Sequence, residues 1–310
     1  MTEQNRMWLD SLNPQQVEAV TYGQGPLLVV AGAGTGKTGT LAARVAHLVS
    51  KGTAPERIML LTFTRRAAGE MLKRAAKAIA QEVIATLVWG GTFHAISNRL
   101  LRIYGKAAGL SPDFTIMDRS DSEDFLNVVR NNLGLARTDK RFPRKSTCVD
   151  IYSRRVNGDE NLEAVLKKYF PWCQEWQKEL NNLFREYVIR KQERNVLDYD
   201  DLLIYWYQMV QEDSLAELLS NRFDHLLVDE YQDTNRLQAG ISIGMRRTCS
   251  NITVVGNDAQ SIYSFRAATV RNILDFPTQF PGTKVVTLEQ NYRSVQPILE
   301  TTNRIIEQAK

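Results

Sequence analysis

Eight residues near the N-terminus have the types and spacing of a phosphate-binding loop (P-loop). They follow an apolar run at 27–30 and are Ala31, Gly32, Ala33, Gly34, Thr35, Gly36, Lys37 and Thr38. The glycines let the backbone curl so that N–H groups point into one concavity, and the helix that begins at Lys37 directs its positive end there. We expect Lys37 to reach the β- and γ-phosphates of a nucleotide and the Thr38 hydroxyl to ligate Mg²⁺. Only Ala31 departs from the pattern, which has glycine there, so the loop predicts a nucleoside triphosphate site.

Two adjacent acids could complete a site for phosphoryl transfer. Asp229 and Glu230 directly follow an apolar run of four residues, which is the Walker B arrangement. Asp229 would hold Mg²⁺, directly or through water, and Glu230 can polarise the attacking water. Gln260, Arg266 and Arg293 each lie just beyond a predicted strand, so they could sense the γ-phosphate or stabilise its charge at the same edge.

Predicted strands alternate with predicted helices in two parts of the chain. The strands are expected at 27–30, 58–63, 86–90, 225–228, 252–256 and 284–288. This alternation predicts an α/β fold with a parallel sheet, right-handed crossovers and helices on both faces. Ligand chemistry should gather where the strands end.

Between residues 106 and 195 helical periodicity replaces this alternation, and no strand pattern interrupts it. We interpret the segment as an all-helical insert with its own small core, to which we assign Trp172, Trp176, Leu180, Leu183 and Phe184. Within it, residues 137–155 hold seven basic residues and two acids. Two interpretations stay open for this basic segment, a solvated charged surface or a salt-sensitive contact with a nucleic-acid backbone.

Composition narrows the class of protein. The chain has 310 residues, a net charge of +4 and three cysteines without a C-x-x-C pair, which suggests about two domains and a reducing compartment. The first residues lack a signal-peptide pattern, and no apolar run approaches the roughly 20 residues that span a bilayer. We therefore expect a cytoplasmic protein with no membrane partner.

The stretch 229–235, DEYQDTN, resembles motif II of the superfamily 1A DNA helicases, the UvrD/PcrA/Rep family. Six further stretches resemble other motifs of that family in the same order. They are 12–16 (Q motif), 31–38 (motif I), 61–64 (motif Ia), 91–94 (motif Ib), 255–263 (motif III) and 288–294 (motif IV). The resemblance spans nearly the whole chain and implies a RecA-like ATPase fold.

The resemblance also implies residue roles at the nucleotide. Gln16 would read the adenine edge and Tyr292 would stack on the adenine. Gln260 would couple the γ-phosphate to the DNA site, Arg266 would contact that phosphate, and Arg293 would act like an arginine finger. ATP and Mg²⁺ are the implied cofactors.

A second group of residues would contact single-stranded DNA. By resemblance, three aromatic residues stack on or flank the bases and four polar residues lie near the backbone, which fits the sequence-tolerant stacking of single-strand binders. The aromatic residues are Phe63, Tyr263 and Phe265, and the polar ones are Thr62, Thr64, Thr92 and His94.

The chain departs from the family pattern in places. Asn257 and Ala259 replace acids common in motif III, and Ser264 and Phe265 stand where the family usually has Arg and Trp. Motifs V and VI are absent. We therefore expect an N-terminal portion of a helicase, with a RecA-like domain in two segments (1–105 and 196–282), the helical insert (106–195), and the opening strand and helix of a truncated second RecA-like domain (283–310).

This reading predicts an ATP- and single-stranded-DNA-binding part of a 3′→5′ helicase or translocase of DNA repair or replication, acting at single-strand/duplex junctions. We expect it to be weak or inactive alone because its C-terminal helicase domains are missing, and to be a monomer that could self-associate through its truncated end. The strand at 284–288 could join the edge of the first sheet, pair with another chain, or form an irregular arm.

Two alternatives remain from the sequence. One is a non-catalytic module that binds single strands or a protein partner through the insert. The other is the ATPase arm of a helicase–nuclease that resembles RecB or AddA. A generic P-loop GTPase or kinase is disfavoured by Gln16 and by 229–235.

Overall fold

Parallel strands form the central sheet of the computed structural model, which describes residues 8–80, 82, 84–136, 140–257, 268–269, 271–295, 297–301 and 304. Within these residues the sheet has six strands in the order β3-β2-β6-β7-β1-β8, all parallel. The strands are β1 (Leu27–Ala31), β2 (Ile58–Thr62), β3 (Trp89–Thr92), β6 (His225–Val228), β7 (Ile252–Gly256) and β8 (Lys284–Leu288). Their shared direction brings every strand's carboxyl end to one edge.

The burial pattern of each strand agrees with its position inside the sheet or at its edge. β2, β6 and β7 are buried at every position, as expected for inner strands covered by helices on both faces. β8 instead alternates between exposed and buried residues and occupies an edge, where only one face needs apolar side chains.

Helices cover both faces of the sheet and create two separate cores. One core holds α1 (Pro14–Thr21), α2 (Lys37–Ser50) and α3 (Arg65–Ala78), with the short α4 (Ile84–Leu87). The other holds α5 (Phe93–Tyr104), α10 (Tyr199–Gln211), α11 (Asp213–Arg222) and α12 (Arg236–Gly244), with the short α13 (Arg271–Leu274) and α14 (Phe276–Gln279). The predicted α/β fold with helices on both faces is confirmed.

The insert has a third core of its own. Its helices are α6 (Arg119–Asn132), α7 (Lys145–Gly158), α8 (Leu162–Tyr169) and α9 (Gln177–Glu193). Leu180, Leu183 and Phe184 are buried in this core and Trp176 packs against it, as predicted, whereas Trp172 is 68% exposed. The assignment of Trp172 to the core was wrong, because the 3₁₀ turn Pro171–Trp176 turns this side chain outward.

Two further expectations need correction. The insert is not entirely helical, because β4 (Thr115–Ile116) pairs in parallel with β5 (Val196–Leu197) where the insert begins and ends. β3 begins at Trp89 rather than near residue 86, since the preceding residues form α4. The sequence left three placements open for the segment 284–288, and the structure places it at the edge of the central sheet, while the assignment of 283–310 to a second RecA-like domain stays a prediction. The segment 284–288 pairs with β1 along its length, because its buried residues Val286 and Leu288 join the core beside α2.

Three residues of the basic segment, Lys140, Lys145 and the acid Asp150, form ion pairs within the insert. Lys140 contacts Glu175 at 2.6 Å, and Lys145 contacts Asp124. Arg119 of α6 pairs with Asp150 at 2.8 Å, while residues 137–139 lie outside the described part of the chain. These exposed pairs agree with a solvated surface, and a nucleic-acid contact here stays a prediction.

Candidate nucleotide and nucleic-acid site

The P-loop connects β1 to α2, as predicted, and two of its glycines have left-handed backbones. Gly34 has φ +78° and Gly36 has φ +86°, a region that residues with a Cβ rarely adopt. A Cβ at Gly36 would lie 2.6 Å from Nε2 of Gln16, and one at Gly34 would lie 2.6 Å from Cβ of Arg293. Glycine is therefore required both by the turn and by close neighbours, which come from opposite ends of the chain.

Gln16 is fixed against the P-loop by hydrogen bonds from both ends of its amide. Nε2 donates to the carbonyl of Thr35 at 3.1 Å, and Oε1 accepts the Asn13 N–H at 3.1 Å within the capping box of α1. Gln16 is 5% exposed. The structure thus brings Gln16 to the nucleotide site, while its contact with adenine stays a prediction.

A buried arginine that the sequence analysis did not single out anchors α1 in this position. Arg44 of α2 donates from Nη1 to the carbonyls of Ala19 and Tyr22, and from Nε to Oγ1 of Thr253 in β7. Burial lowers its pKa to about 10. Because Arg44 ties the end of α1 to the sheet, it also holds Gln16 beside the loop.

The acidic pair lies at the carboxyl end of β6, opposite the P-loop lysine. The Asp229 N–H donates to the Leu61 carbonyl at 2.9 Å, which continues the sheet pairing. Lys37 Nζ lies 2.9 Å from Oε2 of Glu230. This contact joins two residues 193 positions apart and confirms that motifs I and II face one another.

Burial and neighbouring negative charge raise the pKa values of two carboxyls here. The pKa of Asp229 rises to about 7, mainly through burial and then through the charge of Glu230, while Lys37 opposes the shift. The pKa of Asp233 rises to about 6 for the same first two reasons. Such shifts are frequent at functional sites because these sites concentrate like charges in buried positions.

A magnesium ion would fit this donor set. Oδ1 of Asp229 is buried, and no hydrogen-bond partner for it exists among the described residues. In the same part of the chain, no cluster of three or more potential ligand side chains occurs. Mg²⁺ at nucleotide sites is commonly held by one or two protein ligands together with water and phosphate oxygens, which suits Asp229 and Thr38.

The segment after β8 closes over the P-loop. The Tyr292 N–H donates to the Gly34 carbonyl at 2.8 Å, and Asn291 Nδ2 donates to the Ala33 carbonyl at 2.6 Å. Asn13 Nδ2 also donates to the Tyr292 hydroxyl at 2.9 Å. The structure therefore places Tyr292 and Arg293 at the loop, and Tyr292 is 57% exposed. The sequence analysis gave Asn291 and Asn13 no role at the site, although both lie within stretches that it assigned to motifs, 288–294 and 12–16.

Four predicted site residues, Gln260, Tyr263, Phe265 and Arg266, lie outside the described residues, and their roles stay predictions. The last described residue before them, Asn257, has its side-chain amide near the P-loop, since a Cβ on Gly32 would lie 3.9 Å from its Nδ2. The start of motif III therefore lies beside the nucleotide site.

Three threonines predicted at the DNA backbone make local hydrogen bonds. Thr64 and Thr92 are the N-caps of α3 and α5, where each hydroxyl accepts a backbone N–H. Thr62 Oγ1 donates to the Thr64 carbonyl at 2.8 Å. These bonds give each threonine a structural role in capping a helix or fixing a turn. A contact of the three residues with DNA stays a prediction.

Phe63 and His94 line one side of a cleft of about 930 Å³ between the RecA-like part and the insert. The insert contributes Arg154, Lys168 and Phe170 among other residues to the opposite side. His94 packs edge-on against Tyr199 at 5.9 Å between ring centroids. Arg154 belongs to the basic segment for which the sequence analysis left a nucleic-acid contact open. Lys168 and Phe170 were not singled out, although the run KKYF at 167–170 places basic and aromatic residues side by side.

This chain has a parallel sheet with a P-loop after β1, and an Asp-Glu pair after β6 faces that loop. These features place it in the RecA-like class of P-loop nucleotide-binding proteins. Sequence comparison refines this assignment. A model of the UvrD/REP helicase N-terminal domain matches residues 12–281, and the chain belongs to that family.

Several curated proteins are similar to nearly all of this chain. An "ATP-dependent DNA helicase PcrA" from Leuconostoc citreum is 39% identical over 300 residues, which cover 96% of this chain and 39% of that protein. An "ATP-dependent DNA helicase UvrD1" from Mycobacterium bovis is 37% identical, with the same coverage of both chains. A PcrA from Staphylococcus epidermidis is 35% identical over 96% of this chain and 40% of its own length. The chain thus spans about two fifths of these relatives. Among its described residues, no helix is long and apolar enough to cross a membrane.

Proposed function

We propose that this chain is the ATP- and single-stranded-DNA-binding part of a DNA helicase or translocase. The observation that carries the proposal is the contact of Lys37 with Glu230 at the edge where the P-loop, the motif II acids and Tyr292-Arg293 converge. The names of the similar proteins, ATP-dependent DNA helicases, support the same function.

The proposed reaction is hydrolysis of ATP at the γ-phosphate. Lys37 leaves Glu230 and binds phosphate oxygens when ATP enters, and Glu230 then orients a water and accepts its proton during attack. Mg²⁺ held by Asp229 and Thr38 would offset phosphate charge. Arg293, whose Cβ lies against the loop, supplies a further cation, while Gln16 and Tyr292 hold the adenine.

The finer parts of the proposal concern direction and context. We propose 3′→5′ movement along one strand, action at single-strand/duplex junctions, and a cytoplasmic role in DNA repair or replication. We propose further that the chain acts as a monomer and that residues 1–310 assayed by themselves unwind poorly. Their described part holds one six-stranded RecA-like sheet, whereas cyclic closure between two RecA-like domains drives such movement.

The nucleotide site is tested by Lys37→Ala in a titration with a fluorescent ATP analogue. Loss of charge-assisted hydrogen bonds should weaken binding about 10- to 100-fold. Lys51→Ala is the matched control, because Lys51 is an exposed lysine just after the same helix. Equal affinity of the Lys37 variant and the wild type would refute the assignment.

The single-strand site is tested by the anisotropy of a labelled oligothymidylate. Phe63→Ala should weaken binding by about 1–3 kcal/mol if the ring stacks on a base, and Phe63→Leu should weaken it similarly because leucine fills space without a ring face. Full binding by the leucine variant would mean that Phe63 acts by packing alone. DNA binding without any ATP hydrolysis, stimulated or basal, would favour the non-catalytic module.

A further inference from the structure

Gln232 is a buried side chain of motif II to which the sequence analysis gave no role. It lies in the 3₁₀ turn Tyr231–Asp233, two residues after Glu230, and is 1% exposed. A glutamine in this position must satisfy both ends of its amide within the protein, since burial without hydrogen bonds is costly.

The Gln232 amide bridges two parts of the nucleotide site. Nε2 donates to Oε2 of Glu230 at 2.8 Å, and Oε1 accepts the Asn257 N–H at 3.0 Å. One end of the amide therefore holds the carboxylate proposed to activate water. The other end holds the first residue after β7, where the segment with the predicted Gln260 and Arg266 begins.

The two donors on Glu230 converge on a single oxygen. Among the described residues, Lys37 Nζ at 2.9 Å and Gln232 Nε2 both reach Oε2. Oε1 is therefore the oxygen to which we assign the attacking water. When Lys37 turns to the phosphates, Gln232 remains as the donor that keeps this orientation.

The backbone at Gly256 and at Glu230 has features that permit the hydrogen bonds of Gln232. A Cβ on Gly256 would overlap Oε1 of Gln232 and would lie 2.8 Å from Cδ1 of Ile273, so only glycine permits the close approach. Glu230 itself has φ +49°, a left-handed conformation that is unusual for a residue with a side chain and is found preferentially at functional sites.

We propose that Gln232 is a positioning residue for ATP hydrolysis. It fixes the Glu230 carboxylate so that Oε1 accepts the proton of the attacking water, and it links this carboxylate to the segment that begins at Asn257. The inference rests on the proposed hydrolysis of ATP.

Two variants separate the halves of the bridge. Gln232→Met has similar length and removes both hydrogen bonds. Gln232→Glu retains an oxygen for the Asn257 N–H and loses the donor to Glu230 once its carboxyl is ionised. Because burial beside Glu230 raises the pKa of such a carboxyl, hydrolysis by this variant is followed from pH 7 to about pH 9.5. Gln208→Glu makes the same chemical change on the exposed surface of α10 and is the control.

Three measurements are made on each variant of the full chain: affinity for a fluorescent ATP analogue, single-turnover hydrolysis with protein in excess over ATP, and hydrogen exchange at the Asn257 amide. Both Gln232 variants should hydrolyse ATP about 10- to 100-fold more slowly, as expected for loss of a hydrogen bond to a charged group. Their nucleotide affinity should stay within about threefold of wild type, since the bridge does not touch the phosphates. The Asn257 amide should exchange faster only in Gln232→Met.

Two results would overturn the inference. One is wild-type hydrolysis by Gln232→Glu over this whole pH range, which also decides the matter if the methionine variant fails to fold. The other is an Asn257 amide that exchanges equally in the methionine variant and the wild type. A wild type that binds ATP without hydrolysing it would instead refute the proposed function and, with it, the positioning role, while the exchange measurement still decides whether the bridge exists.

Discussion

Lys191 neutralises buried carboxylates where the insert meets the RecA-like part, so its replacement should be strongly destabilising. It lies on α9 and is 2% exposed. Its Nζ lies 2.6 Å from Oδ2 of Asp198 and 2.6 Å from Oδ2 of Asp201, and it also donates to the Tyr152 hydroxyl at 3.4 Å. All three ammonium protons therefore have acceptors. Lys191→Met keeps the aliphatic stem and removes only the charge and these bonds.

The expected loss follows from these contacts. Two charge-assisted hydrogen bonds contribute about 1.5–3 kcal/mol each, and removing one partner of a buried ion pair typically costs about 3–5 kcal/mol. We therefore expect the free energy of unfolding at pH 8 to fall by about 3–5 kcal/mol.

The loss should depend on pH. Burial and the charge of Asp198 already raise the pKa of Asp201 from 3.8 to about 7, with Lys191 opposing the shift. Without Lys191 that pKa rises further. Between the unfolded and folded pKa values, the native state then binds a proton that the unfolded state does not, so stability increases as pH falls. The defect should be smaller at pH 5.5 than at pH 8.

Urea unfolding at both pH values, followed by circular dichroism, measures these differences. Lys178→Met is the control, because Lys178 is an exposed lysine on the same helix. Adding Asp201→Asn to Lys191→Met should restore part of the stability, since the buried charge is removed while the capping oxygen for the Asp198 N–H is kept. A defect below about 1 kcal/mol at pH 8, or one that is equal at both pH values, would refute the reasoning.

Two further predictions concern the loop and the sheet. Gly36→Ala should abolish nucleotide binding in the fluorescence titration, because the new Cβ meets Gln16 at 2.6 Å in addition to the left-handed strain. Gly52→Ala, at φ +99° in open space, should retain binding and lose only about 1–2 kcal/mol of unfolding free energy from the backbone. Burial and then the charge of Arg44 lower the pKa of His225 from 6.5 to about 4. The unfolded state alone binds that proton between these values, so stability should fall by up to about 3 kcal/mol as pH drops through this window. His225→Gln should flatten this slope in urea titrations, and an unchanged slope would contradict the buried, neutral histidine.

Local patterns account for the parts that the sequence predicted well. The start of α2 and the bounds of β7 and β8 agree with the prediction, because each pattern is continuous and short-range. Helix α2 begins within the P-loop motif, and the two strands are apolar runs bounded by polar residues. The P-loop and the Asp-Glu pair were also found, since phosphate binding requires these residue types at fixed spacing.

Long-range pairing decided what the sequence left open or misassigned. Strand β8 had three possible placements from the sequence, and its pairing with β1 depends on which sheet edge its half-buried face can cover. The two-residue strands β4 and β5 carry no periodicity to detect, because they exist only where distant segments meet.

The sequence by itself determined the class of this protein: a nucleoside triphosphate site in a parallel α/β fold of the UvrD/PcrA/Rep type, with each motif readable from adjacent residues. Only the tertiary structure decided how the site is held together. Gln16 is fixed by Thr35, Glu230 is oriented by Gln232, and Lys191 neutralises two acids at the root of the insert. These contacts depend on burial and on distances between atoms, and neither is encoded in the spacing of residues along a chain.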